Sequence, residues 1–431
     1  MKSRAIVIYG WGLLILMSLL LPSCDTSGSE GQSAYFIKYY GLEGNQEGVD
    51  MIVNDDGTFY LFGNSKLPGK NQQLYLLKAD ANGMMLWDEP KFFGGDVYAN
   101  YARDIEKTSD GKLVMVATSE RAVGDNDVLL IIADQEGNEL NSVKRGYAGT
   151  NEDASTVTQI SDGFIVTGST TNVAVKPNPV ANDQLDIFTF RYNTDLTTYA
   201  QVWNDAFGAG IHDAGVKTVQ VNANLFYVFS YTDLKPPLQT TANYNFAVYP
   251  LNNFGVPVGA TSYAGTSSVN ERLTSVLTVP ASLGGGFFLT GIATEVSGEN
   301  RVYIAKMNKD LTLSGTDADF VYQKSFSSSL GALATLHATS AASVTSGFFV
   351  LSNENSSGNQ NFCLSKSTNE GEEIWKDPSR FIFGGAGADK IGAVAELPDG
   401  KIVMLGTFSI GDDAQEKMAL IKVNKDGKFS D

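Results

Sequence analysis

Residues 110–137 read DGKLVMVATSERAVGDNDVLLIIADQEG: an Asp-Gly turn, an apolar run, a polar interruption, a second apolar run and a second turn closed by Gly. Gly supplies the positive φ that tight turns need, and β-branched runs fit pleated, half-buried strands. The stretch is therefore a strand hairpin bounded by turns, and the same pattern recurs along the chain. A turn signal before an apolar run falls at Asp56-Gly57, Asp110-Gly111, Asp162-Gly163, Ala223-Asn224, Gly285-Gly286, Ser346-Gly347 and Asp399-Gly400, at intervals of 54, 52, 61, 62, 61 and 53 residues. The runs that follow are TFYLFG, KLVMVAT, GFIVTGS, LFYVFSY, GFFLTGI, GFFVLSN and KIVMLGT.

Each unit continues with a second run and turn, from LYLLKADANG in the first to MALIKVNKDG in the last. A third segment often carries an aromatic anchor and ends in aromatic-Gly, as in MMLWDEPKFFGG, YAQVWNDAFGAG and EEIWKDPSRFIFGG. With the strand that opens the next unit, this makes four short antiparallel strands per unit and seven units. That period and strand count predict an all-β, seven-bladed β-propeller over residues 33–431, a single domain. A tandem of β-sandwiches is the competing architecture, but it would not keep both turn types at so regular a spacing. Helix is expected to be minor, since no long stretch after the leader shows capped 3.6-residue periodicity.

The last unit ends at KFSD without a rim strand, whereas SAYFIKYYG (residues 33–41) stands alone ahead of the first unit with the aromatic-Gly ending of one. The N-terminal run is expected to complete the last blade and close the ring, which removes exposed sheet edges.

The aromatic-Gly-Gly opening, the central Asp-Gly turn and the Asp-x-x-Gly turn before the Trp-bearing segment resemble the propeller repeats of extracellular lipoproteins from Bacteroidetes-like bacteria. The resemblance spans residues 33–431 and implies the fold rather than an activity. Units four to six depart from it, lacking the Asp-Gly turn, and Ser327-Ser328 replace the glycines in unit six.

Lys2 and Arg4, the apolar run Ala5 to Leu21 and small Ser23 before Cys24 form a three-part export signal. Leu21-Pro22-Ser23-Cys24 resembles the lipobox of bacterial lipoproteins, which implies cleavage after residue 23 and acylation of Cys24. An uncleaved anchor helix or an ordinary secretory signal is the alternative. Several acyl chains would hold the protein on a lipid bilayer, each buried methylene contributing about 0.8 kcal/mol. Residues 24–32 carry the small, polar stretch DTSGSEGQ, suited to a flexible tether. The expected address is the bacterial cell envelope, the outer membrane favoured, with the body facing the periplasm or the outside. The short tether puts the rim of blade seven nearest the membrane.

Beyond Cys24 the chain has one cysteine, Cys363, so a disulfide within the body is excluded and the core must hold the fold. Removing the leader leaves 29 basic against 48 acidic side chains, a balance of −19 that argues against nucleic acid as a partner.

In a propeller the turns joining strands one to two and three to four share a face, here built from tight turns. The opposite face holds the longer connections, where binding usually resides. Two of these, TTNVAVKPNPVANDQLD (residues 170–186) and YTDLKPPLQTTANYN (231–245), are long and carry Pro. They belong to consecutive units and should be neighbours; tolerated insertion at exposed tips is the plainer explanation. Counting back about ten residues from each turn, with a longer step in unit five, reaches Glu47, Tyr101, Asp153, Asp213, Glu271, His337 and Asp389. The five carboxylates among them suggest a broken acidic ring at the channel mouth. It would suit a hard cation such as calcium, although no calcium motif supports one, or a basic group of a partner. Backbone capping at blade junctions is the alternative for the same residues.

No His-x-x-x-His, Gly-x-Ser-x-Gly, phosphate-loop or EF-hand string occurs, and His212 and His337 read as junction residues. Trp87, Trp203 and Trp375 recur at one repeat position and read as packing, Cys363 as a small buried hydrophobe. The resulting expectation is a non-enzymatic, membrane-anchored binding or scaffold propeller for an envelope protein or glycan, without a cofactor. A surface-anchored, polysaccharide-active enzyme using the acidic mouth is the alternative.

Overall fold

The computed structural model describes residues 35–430 except 176–183, 198–202, 204, 205, 235–242, 267, 282, 283, 309–318, 330–341, 344–346, 357, 358, 376–380, 386 and 411–414. Seven antiparallel sheets of consecutive strands make a β-propeller within the compact unit Tyr35–Asp431. Blade 1 shows the pattern, with Asn45–Val53 innermost, then Phe59–Lys66, Gln73–Ala79 and the rim strand Lys91–Phe93. The inner strands of the next blades are Asn100–Lys107, Glu152–Ile160, Asp213–Asn222, Asn270–Thr278, Ala342–Ser343 and Lys390–Glu396. Blade 3 has three named strands, and Phe207 makes an isolated bridge to Ile187 at its rim. Helix among the described residues is confined to 3-10 turns, Val173–Val175 among them.

Second-strand stretches such as FYLF and LVMVA are apolar at every position because both faces of each blade are covered. Alternate side chains serve different interfaces: Phe59 and Leu61 pack toward blade 7, Tyr60 and Phe62 toward blade 2. Seven apolar clusters result, one at each blade boundary. Trp203 is buried and meets Phe226 edge-on at 4.9 Å; Trp87 and Trp375 lie against Tyr60 and Phe349. Cys363 is fully buried.

The N-terminal strand Phe36–Tyr40 is the rim of blade 7. It pairs antiparallel with Gln415–Val423, from Phe36 opposite Lys422 to Tyr40 opposite Met418. Both of its ends of the alternation are used: Phe36 and Tyr40 enter the cluster between blades 7 and 1, while Tyr39 turns to Phe408 on the other side.

Candidate functional site

Inner strands are sheet edges facing the axis, so their outward N–H groups need partners from elsewhere. Neighbouring blades supply them. Gly48 N donates to Thr407 Oγ1 (3.1 Å), Ala102 N to Asn64 Oδ1 (2.8 Å), Ala154 N to Thr118 Oγ1 (3.2 Å) and Ile391 N to Asn353 Oδ1 (3.4 Å). Deeper along the axis, Ile105 N donates to Asp50 (3.0 Å), Val157 N to Asp104 (2.9 Å) and Gln159 N to Glu106 (3.3 Å).

A β-bulge interrupts the inner strand at the same place in six blades, starting at Gly48, Ala102, Ala154, Gly215, Leu273 and Ile391. The bulge fixes which side chains look inward. One residue before it stand Glu47, Tyr101, Asp153, Ala214, Arg272 and Lys390, all lining one axial cavity of about 790 Å³. Two residues before it stand Gln46, Asn100, Glu152, Asp213, Glu271 and Asp389, all buried at blade junctions.

The structure thus places the five carboxylates of the expected ring in two registers. Glu47 and Asp153 line the cavity. Asp213, Glu271 and Asp389 face the junctions and accept backbone N–H groups: from Gly210 (2.9 Å) onto Asp213, from Thr266 (3.1 Å) onto Glu271, and from Gly385 (2.9 Å) and Ser409 (3.0 Å) onto Asp389. Gln46 and Glu152 do the same work, accepting from Leu42 N (3.0 Å) and Tyr147 N (2.8 Å). A one-residue step moves a side chain to the other face of a strand. The spacing hid it: Glu47, Tyr101 and Asp153 lie nine residues before their turns, Asp213 and Asp389 ten before theirs. His337 lies outside the described residues.

The mouth is therefore mixed in charge. Glu47 binds Lys390 (2.5 Å) and accepts from Asn64 (3.0 Å); burial would raise its carboxyl, but these partners hold it below its usual range. Lys390 also reaches Glu416 at 2.7 Å. Asp153 accepts from Asn126 at 3.3 Å. Arg272 lies over the Tyr244 ring at 4.4 Å, and Tyr244 meets Tyr231 edge-on at 5.5 Å. Below the mouth, Arg103 Nε donates to Thr118 Oγ1 (3.2 Å), and Lys217 pairs with Glu106 across the axis at 3.2 Å. Burial raises the Asp50, Asp104 and Glu106 carboxyls, and Asp104, hydrogen-bonded to Asp50, is held well above the usual range. Among the described residues no three His, Cys, Asp or Glu side chains converge as a metal-binding group.

Sequence reasoning missed Tyr101's company here: Arg103, Lys217, Arg272 and Lys390 also line the cavity. The bulge was the signal. Its mark is an acid or amide two residues ahead of a small or apolar residue, as in QEG, NYA, EDA, DAG, ERL and DKI.

The two long Pro-bearing connections lie partly outside the described residues, but their bases meet. Gln184 N and Leu185 N donate to Ile211 O at 3.0 and 3.2 Å, and Ile211 N donates to Asp233 Oδ1 at 2.8 Å. The His212 ring spans the gap, Nδ1 3.1 Å from Asp233 Oδ2 and Nε2 3.1 Å from Gln184 Oε1.

No protein-family model and no curated protein matches the sequence. Among solved structures, a protein of unknown function from Dyadobacter fermentans aligns with a TM-score of 0.51 at 9% identity, covering 90% of this chain and 97% of that one. Drosophila semaphorin 1a, extracellular domains 1–2, aligns with a TM-score of 0.46 at 8% identity over 90% and 87% of the two chains. Prolyl oligopeptidase B from Galerina marginata gives 0.44 at 13% identity, over 92% and 52%. At 9% identity the likeness to the Dyadobacter protein is one of fold alone.

Proposed function

We propose that the protein is a lipid-anchored lipoprotein of the bacterial envelope whose propeller binds a protein or glycan partner through its loop-bearing face, without catalysis. The direction of the rim strand carries this reading. Phe36 pairs with Lys422, next to the Asn424–Lys428 turn, so the chain enters blade 7 on the tight-turn face. Eleven residues separate Cys24 from Phe36, a reach of about 40 Å at most. An anchor at Cys24 would tether the propeller at that entry point on the tight-turn face, whereas the long connections and the cavity mouth belong to the opposite face. The joined bases of those connections support a single binding surface, since preorganised loops lose less entropy on binding. The catalytic alternative loses support from the mouth itself, where Glu47 is tied up by Lys390 and three of the five carboxylates serve as caps.

Two variants test the reading. Cys24→Ser should move the protein from the membrane fraction to the soluble fraction. Deleting Lys176 to Asn182 should abolish capture of the envelope partner that co-purifies with the intact, lipidated form. Capture undiminished by the deletion would count against the loop face, and continued membrane association of Cys24→Ser would count against the anchor.

A further inference from the structure

We propose that the axial cavity binds an acidic oligosaccharide whose carboxylates are held by Arg272 and Arg103; this names a ligand for the loop-face binding reading and rests on it. The chain is strongly acidic, with a formal charge of −17, yet these two cavity-lining guanidinium groups have no carboxylate within ion-pair distance among the described residues. The cavity's lysines differ: Lys217 is taken by Glu106 and Lys390 by Glu47 and Glu416. Arg272 is exposed and lies over the Tyr244 ring at 4.4 Å, a contact with the ring face that leaves N–H groups of the guanidinium open to a planar carboxylate. Arg103 spends its Nε–H on Thr118, which orients its remaining N–H groups.

Sugar fits the remaining surface better than peptide. Tyr101 and Tyr231 line the same cavity and offer rings with an apolar face and a polar edge, suited to pyranose faces. An extended peptide would instead seek a free strand edge. In blades 1 to 3 the inner edges are already engaged: Thr407, Asn64, Thr118, Asp50 and Asp104 hold N–H groups that a peptide strand would need. A volume of about 790 Å³ lies within the range of small-ligand sites and suits an oligosaccharide of a few units.

Calorimetry on the purified full chain in detergent, with trimers of galacturonate and mannuronate, neutral trigalactose and triglutamate as probes, tests the assignment. At least one uronate trimer should bind, more weakly as salt rises. Trigalactose and triglutamate should bind at least tenfold more weakly, and Arg272→Gln and Arg103→Gln should each lose about tenfold or more in uronate affinity, as expected when a charge-assisted bond is removed. Melting of the exposed Arg272→Gln variant should match the parent. Equal binding of trigalactose, triglutamate as tight as uronate, full affinity in both arginine variants, or no uronate binding would each overturn it. The last result together with partner capture that still depends on residues 176–182 would sink the sugar while leaving the loop-face reading intact.

Discussion

Phe36 fills the space beneath Gly83: a methyl group added at Gly83 would lie 2.8 Å from the Phe36 ring, and Tyr40 OH donates to the Gly83 carbonyl at 2.8 Å. The contact joins the first strand of the chain to the third-to-fourth turn of blade 1. The same pairing recurs between blades, Gly137 against Trp87 and Gly427 against Phe381. A residue from the far N-terminus thus occupies a repeat position that blade 7 could not fill from its own C-terminal strands.

Gly83→Ala should therefore destabilise the closed ring. Its φ of +73° already disfavours a side chain, at about 1 kcal/mol, and the contact with Phe36 adds crowding. Deleting residues 33–40 should cost far more, exposing the edge of Gln415–Val423 and uncovering Phe59, Leu61 and Met418. Thermal melting reads both. A deletion variant melting with the parent would mean that the ring does not depend on its clasp.

Asp389 offers a test of the junction register. Its two oxygens each accept one backbone N–H, from Gly385 and Ser409, and it is fully buried. Asp389→Asn would point an amide N–H₂ at one of those donors, leaving a buried polar group unpaired at about 1–3 kcal/mol. Asp153→Asn, at the cavity, should leave stability nearly unchanged. Urea unfolding separates the two, and equal losses would contradict the assignment of the two registers.

The repeat and the closing strand were legible because they depend on patterns longer than a blade: seven turn signals, continuous apolar runs, and an orphan rim strand ahead of the first unit matched by a missing one in the last. The lining of the axis was not legible to that resolution. A turn-to-mouth distance of nine or ten residues looks the same when counted, yet a single residue exchanges Asp153, which lines the cavity, for Asp213, which caps Gly210. Bulges shift parity without altering composition. Charge pairing was hidden for a different reason, because Lys217 and Glu106 are 111 positions apart and meet only across the axis.

Lys217 is the cation opposite the deep carboxyls Asp50, Asp104 and Glu106. Burial, then the neighbouring Asp50, raises the Asp104 carboxyl well above its usual range. A carboxyl raised in the folded state holds its proton more tightly there than in the unfolded chain, so its contribution is complete below about pH 4 and is lost as pH climbs through the raised value. Lys217→Met should deepen that loss. The pair is partly solvent-accessible, so about 2 kcal/mol is expected at pH 8, between the values for exposed and fully buried pairs, and much less at pH 4.5. Urea unfolding at the two pH values reads it; an equal loss at both would assign Lys217 a packing role alone.

His212 ties the bases of the two long connections, reaching Asp233 on one side and Gln184 on the other, with Tyr244 edge-on at 6.4 Å. Neither bond lies in the core of a blade, so His212→Ala should change melting little while loosening both connections. Each hydrogen bond of this kind contributes about 1 kcal/mol, enough to raise the population of locally opened states roughly fivefold. Limited proteolysis is the readout, with faster cleavage expected within both 176–183 and 235–242. Faster cleavage in one segment alone would show that the connections are held separately. Unchanged cleavage in both would mean that Ile211, which binds Gln184, Leu185 and Asp233 through its backbone, holds them without the imidazole.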